Sequence, residues 1–235
     1  MTKFIAIISG KGGVGKTTTI LNLGSALMKR GKKVILLDAN FMTPNLSLHL
    51  GVPSPKSHLN DFLKKKKSLN EVIHIHHSGL NFIPSSISYQ DFKKTNPENL
   101  SEVFEHLENL ADFVLVDSPA GLGHELIHIL KNTDETIVIV NPNLSSLVDA
   151  LKAIELAQEN NNIISGIVLN MTNKGKHELH KKDVEETLGH PIVANVQLDK
   201  KIRKALYQQV PSYYLSPRSR SSKEYDKLAK HLLHE

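Results

Sequence analysis

The residues best suited to chemistry lie near the start of the chain, in Ser9-Gly10-Lys11-Gly12-Gly13-Val14-Gly15-Lys16-Thr17-Thr18. Gly10, four residues, Gly15, Lys16 and Thr17 have the spacing of a phosphate-binding P-loop. Gly10, Gly12, Gly13 and Gly15 carry no Cβ, so the loop can turn tightly and aim its backbone N–H groups inward. Those groups and the positive end of a following helix would form a nest for a polyphosphate. Lys16 would reach the outer phosphates, and the Thr17 hydroxyl would bind Mg²⁺.

Such a loop works only between a strand and a helix. The apolar run Phe4-Ile5-Ala6-Ile7-Ile8 precedes it, and Ile20-Leu21-Asn22-Leu23-Gly24-Ser25-Ala26-Leu27 follows. Two further buried strands end in acids: Lys33-Val34-Ile35-Leu36-Leu37-Asp38 and Asp112-Phe113-Val114-Leu115-Val116-Asp117. In open α/β sheets ligands bind beyond the carboxyl ends of the strands, which places Asp38 and Asp117 near the phosphates. Asp117 has the setting of a Walker B acid, which holds Mg²⁺ directly or through water, and Asp38 is the second candidate at the metal.

The Lys-Gly-Gly-Val-Gly-Lys-Thr-Thr stretch resembles the deviant Walker A loop of the MinD/ParA family of ATPases. So do Asp38-Ala39-Asn40-Phe41-Met42-Thr43-Pro44-Asn45-Leu46 (switch I), Asp117-Ser118-Pro119-Ala120-Gly121 (switch II) and Asn143-Leu144-Ser145-Ser146-Leu147-Val148-Asp149-Ala150. Switch II looks closer to MinD and its flagellar-number relatives than to ParA. The resemblance implies that Lys11 crosses an ATP-bound dimer interface to the partner's nucleotide. It also implies that Asn170 reads the adenine and that Val196 and Leu198, in Val196-Gln197-Leu198-Asp199, lie beside it. With the loop residues Gly10 to Thr18, these make the expected nucleotide site. The catalytic set is Lys11, Lys16, Asp38, Asn40 and Asp117, and the metal set Thr17, Asp38 and Asp117.

Asn40 departs from the family, which usually carries a second aspartate there, associated with hydrolysis. An amide cannot hold negative charge or take up a proton as a carboxylate can, although it can orient water. Two outcomes stay open: slow turnover supported by Asp38 and Asp117, or ATP binding without hydrolysis.

Two histidine patterns invite a zinc reading. His124-Glu125-Leu126-Ile127-His128 matches the helical His-Glu-x-x-His of zinc proteases, and His74 and His76 could share one strand face. The first lacks an evident third ligand and directly follows switch II; the second has no carboxylate nearby. His177-Glu178-Leu179-His180 has the same defects. These read as chance matches and exposed histidines in a chain with 13 histidines.

Composition narrows the field. The chain has 235 residues, 40% hydrophobic and 23% charged, which suits a globular α/β protein. There are no cysteines, so thiolate metal sites and disulfides are excluded, which also argues against the iron–sulfur carrier branch of the superfamily the chain resembles. No run approaches the ~20 apolar residues of a membrane span. No signal peptide is expected, and the location reads as cytoplasmic. The net charge of +5 permits attraction to nucleic acid or acidic lipid. Lys64-Lys65-Lys66-Lys67 reads as a solvated face, and Lys200, Lys201, Arg203, Lys204, Arg218 and Arg220 as a second basic cluster, where ParA-type relatives bind DNA.

The expected fold is a doubly wound α/β domain spanning 1–235, with a mostly parallel sheet of about seven strands and helices on both faces. Helices are expected over Glu98 to Leu110, Ser145 to Gln158, His177 to Leu188 and from about Ser219. The expected function is an ATP-driven homodimer that hydrolyses ATP slowly and positions cellular structures such as the division site, with a protein activator or cargo. No basic amphipathic tail is visible, so direct membrane binding is not expected. A ParA-like DNA-segregation ATPase and a non-hydrolysing scaffold remain the alternatives.

Overall fold

A computed structural model describes every residue except 174, 176 and 235. The apolar runs form strands β1 (Lys3–Ile8), β2 (Val34–Asp38), β3 (His74–Ile75), β4 (Asn81–Ile83), β5 (Phe113–Asp117), β6 (Glu135–Val140), β7 (Ile163–Thr172) and β8 (Ile192–Gln197). Their order in the sheet is β3-β4-β2-β5-β1-β6-β7-β8. All described pairings are parallel except β3 with β4.

The near-continuous hydrophobicity of these strands follows from burial on both faces. In β1, Phe4, Ala6 and Ile8 pack with Phe104, Leu126, Leu147 and Ile154 from helices on one side. Ile5 and Ile7 pack with Ile20, Leu23 and Leu27 of the helix Lys16–Lys29 and with Tyr225 and Leu228 of the helix Arg220–Leu233 on the other. The doubly wound, mostly parallel architecture is the expected one. The expectation of about seven strands falls one short. His74–Ile75 adds an antiparallel edge pair, His74 opposite Phe82 and Ile75 opposite Asn81, closed by a turn in which Gly79 has φ +90°.

Two helices differ from expectation. Glu98 to Leu110 becomes a 3₁₀ turn, Pro97–Asn99, and a helix, Leu100–Leu107. It stops because Asn109 turns to φ +65° and donates its N–H to Thr2 Oγ1 at 2.7 Å. The helix expected from His177 starts at Lys181 and runs to Leu188. Before it, the Glu178 carboxylate accepts Asn173 N–H, and Leu179 N–H donates to Pro142 O, so the chain is bent toward its neighbours. Among the described residues, no helix is long and apolar enough to cross a membrane.

β1 is the centre of the sheet, flanked by β5 and β6. The chain winds from β1 outward to β2 and β4, returns to β5, then continues past β1 to β6. That reversal is the point where such sheets bind ligands, and the glycine-rich loop leaves the carboxyl end of β1 there.

Candidate nucleotide site

The loop between Ile8 and Lys16 is shaped by contacts that admit no side chain at two glycines. A Cβ at Gly10 would lie 2.2 Å from Asp149 O, in the backbone of the helix Leu144–Glu159. Gly15 is left-handed, φ +100°, and a Cβ there would lie 2.3 Å from Asn170 Nδ2. The loop is also tied from behind: Asn170 Nδ2 donates to Val14 O at 2.7 Å, and Asn141 Nδ2 donates to Asn170 O at 3.0 Å.

Below the loop three ionisable groups, Lys16, Asp117 and Asp38, are buried close together. Lys16 is nearly buried and donates to Ser9 Oγ at 3.0 Å. Burial pushes its pKa down, and the charge of Asp117 partly restores it. The Thr17 hydroxyl donates to Asp117 Oδ2 at 2.6 Å. Asp117 is fully buried, which pushes it up to about 6 against the hydrogen bond from Thr17 and the Lys16 charge.

Asp38 is also fully buried and stands in register with Asp117 across β2 and β5. Burial and the Asp117 charge hold its pKa well above the usual carboxylate range, opposed by N–H groups from the following loop. Its Oδ1 accepts Asn40 N–H, and its Oδ2 accepts Asn45 and Leu46 N–H, each at 3.1 Å. Both oxygens therefore organise the segment 39–46.

Asn40 spends its amide on one local turn. Nδ2 donates to Thr43 O at 2.8 Å, while Oδ1 accepts Thr43 N–H and Oγ1–H, each at 3.2 Å. Lys11 is exposed, with Ser145 Oγ 3.4 Å from its Nζ.

Two clefts meet at Thr18. One of about 310 Å³ is lined by the loop, Lys16, Thr17, Asn40, Thr43, His49 and Ser118. The other, about 240 Å³, is lined by Asn170, Met171, Leu198, Ile202 and Arg203. Of the candidates, Gly12, Gly13, Gly15, Lys16, Thr17, Thr18, Asn40, Asn170 and Leu198 line these clefts; Asp117 lies buried behind Thr17 with Asp38 beside it, and Gly10, Lys11 and Val14 belong to the same loop without lining either cleft. Val196 does not reach either cleft: its side chain is fully buried in the core beneath the helix Arg220–Leu233. Sequence reading missed Asn141, Thr43, His49, Met171 and Arg203, which arrive from separate segments. Of these, Thr43 stood within the switch I stretch and Arg203 within the basic cluster without being singled out, and Asn141-Pro142 marked the end of β6.

Asp117 Oδ1 is buried without a hydrogen-bond partner. A free carboxylate oxygen beside a threonine hydroxyl is a hard-oxygen donor set of the kind Mg²⁺ takes. The histidine motifs offer no comparable set. Among the described residues, no group of three or more His, Cys, Asp or Glu is placed to hold a metal. His76, expected to be exposed, is buried with Nδ1 2.7 Å from Ser78 Oγ.

A family model described as ParA, NUBPL iron-transfer P-loop NTPase, matches residues 1–233. An uncharacterised ATP-binding protein of Methanocaldococcus jannaschii is 36% identical over 229 residues, covering 97% of this chain and 87% of that protein. The septum site-determining protein MinD of Pyrococcus horikoshii, solved with Mg-ADP, is 30% identical with a TM-score of 0.93, covering 99% of this chain and 96% of that one. The cell division ATPase MinD of Pyrococcus furiosus is 31% identical with a TM-score of 0.94, covering 100% of this chain and 99% of that one.

Proposed function

The chain belongs to the ParA family of P-loop NTPases, and on that premise we propose that it is an ATP-driven dimerisation switch of the MinD kind, hydrolysing ATP slowly to position a cellular structure such as the division site. The observation that carries this reading is the group formed by the buried Lys16 and Asp117 with Thr17 at the cleft, under a glycine loop at the centre of the sheet. The loop N–H groups and the N-terminus of the helix Lys16–Lys29 bind the polyphosphate, and Lys16 neutralises it. The similarity to a MinD solved with Mg-ADP supports both nucleotide and metal.

Thr17 lines the cleft and Asp117 lies behind it, so the two would hold Mg²⁺, which supplies charge neutralisation at the bound phosphates. Asp38 acts on the segment 39–46 through its three accepted N–H bonds, tying switch I to the metal end of the site. Asn170 and Leu198 line the second cleft, which is taken to receive the adenine.

The exposed Lys11 and its apolar surroundings support an ATP-dependent homodimer. Leu144 and Val148 share a helix with Ser145, and Met42 and Leu122 sit in the two loops that border the cleft; all four expose apolar side chains. In a closed dimer that surface would be covered and Lys11 would meet the partner's phosphates. Residues 1–235 are read as one domain, acting in the cytoplasm with a protein activator or cargo that recruits it to membrane or nucleoid. Iron transfer, named in the family description, has no cysteine thiolate to work with in this sequence. The test is isothermal titration of ADP and ATP with Mg²⁺ into the wild type and Lys16→Ala. Nucleotide binding lost in the variant supports the reading, and equal binding by both overturns it.

A DNA-segregation role is the second reading, favoured by one feature. Lys200, Lys201 and Arg220 line a cleft of about 370 Å³ next to the nucleotide region. ATP-dependent, salt-sensitive binding to mixed-sequence duplex supports it, and no binding at low salt counts against it.

A further inference from the structure

Met171 bulges out of the strand that carries it. Among the described residues it is the one non-glycine residue inside a strand with positive φ, +60°. The others, Lys65, Asn109, Asn161, Gln209 and His234, each follow the end of a helix, where a left-handed residue closes the last turn. Along β7, Asn170 pairs with Val196 and Thr172 with Gln197, so Met171 is an extra residue with no partner on β8. A bulge of this kind re-aims a side chain. Both neighbours are fixed. Asn170 donates to Val14 O; Thr172 donates to Asn195 Oδ1 at 2.8 Å, and its carbonyl accepts Leu198 N–H at 2.9 Å. The left-handed conformation is costly for a residue with a Cβ and persists only where the surroundings hold it, often beside a ligand.

The side chain so displaced reaches the nucleotide region. Its Cε lies 3.6 Å from the position a Cβ would take on Gly15, the last glycine of the loop. Met171 and Thr18 line both the phosphate cleft and the cleft of Asn170 and Leu198, so Met171 stands where the two join. It is 37% exposed, which leaves surface for a ligand to cover. A thioether has no donor to offer a phosphate oxygen, but it packs well on apolar and aromatic surface. Of a nucleotide that spans the two clefts, the sugar and the base offer such surface and the phosphates do not. We propose that Met171 is a nucleoside-contacting residue, held in its strained conformation so that its side chain packs against the ribose–base end of the bound nucleotide. The assignment rests on the P-loop reading of the clefts.

The test is titration of Mg-ADP and of magnesium pyrophosphate into wild type, Met171→Leu, Met171→Ala and Met171→Gly, with thermal melts of the nucleotide-free proteins. Leucine keeps the apolar bulk; alanine removes it and keeps the strain; glycine removes both. Met171→Ala and Met171→Gly are expected to bind Mg-ADP about tenfold more weakly, the loss of one packed apolar side chain, with pyrophosphate affinity within about threefold of wild type. Met171→Leu is expected to stay within about threefold of wild type for both ligands. Met171→Gly should melt about 2–4 °C above Met171→Ala, because removing the Cβ releases the strain. Equal Mg-ADP binding by wild type, Met171→Ala and Met171→Gly overturns the contact and leaves the P-loop reading intact. An equal loss for pyrophosphate and ADP overturns the nucleoside assignment and makes Met171 a support for the loop at Gly15. Met171→Gly melting no higher than Met171→Ala overturns the strain. Failure of the wild type to bind either ligand overturns the contact and the function together.

Discussion

Asp38 and Asp117 stand in register on adjacent parallel strands with both carboxylates fully buried, and Lys16 is the neighbouring cation. Two buried acids against one lysine is an arrangement that costs stability, and one that a bound metal–nucleotide complex would relieve.

Asp117 is raised to about 6 from 3.8, mainly by burial. For a raised folded-state pKa, the group's contribution to stability is complete below about 4 and is lost as pH rises through about 6. The nucleotide-free protein should therefore lose stability over that interval. Asp117→Asn removes the loss. At pH 7 the variant should be more stable than wild type by on the order of 1–3 kcal/mol, at about 1.4 kcal/mol per pKa unit, while Mg²⁺-dependent nucleotide binding falls. Chemical denaturation at pH 4.5 and pH 7 checks this; a variant less stable at pH 7 would contradict it.

Gly10→Ala places a methyl 2.2 Å from Asp149 O, so the helix Leu144–Glu159 must move. The cost should be about 2–3 kcal/mol, with weakened nucleotide binding, as for overpacking elsewhere. Gly13→Ala meets no atom within 4 Å and carries only the strain of φ +77°, about 1 kcal/mol. Melting temperatures of the two variants should differ in that order.

Asn40→Asp replaces an amide whose Nδ2 holds Thr43 O with a carboxylate that cannot donate. The turn should loosen, and phosphate release should rise about a hundredfold or more if the carboxylate acts as acid–base catalysts generally do. An unchanged rate would remove catalytic meaning from the position.

Lys11→Ala should leave ADP affinity within about threefold of wild type, because its only described side-chain contact is the long one to Ser145. It should abolish the ATP-dependent dimer. Analytical ultracentrifugation with ATP separates these outcomes.

The parts of this site that were legible in sequence are those where one contiguous stretch holds strand, loop and helix. The loop from Gly10 to Thr18 and the acids ending β2 and β5 belong to that class. Asn141 and Met171 do not, because each gains its role only when distant segments meet. Val196 shows the limit of segment-level resemblance: it lies inside β8 with its side chain in the core, while Leu198, just past the end of the strand at Gln197, lines a cleft. The edge pair at His74–Ile75 was hidden by its length, two residues being too few for a period. The early start expected for the helix at Lys181 failed on a tertiary hydrogen bond, Leu179 N–H to Pro142 O, that no local propensity encodes.

The most direct test of the switch is light scattering of the wild type with Mg-ADP and with Mg-ATP, read alongside phosphate release from the same samples. The account predicts a monomer with ADP, a dimer with ATP and slow release. A monomer with both nucleotides would contradict it, removing the role of Lys11 across an interface; a persistent ATP dimer with no release would make the protein a nucleotide-held scaffold instead.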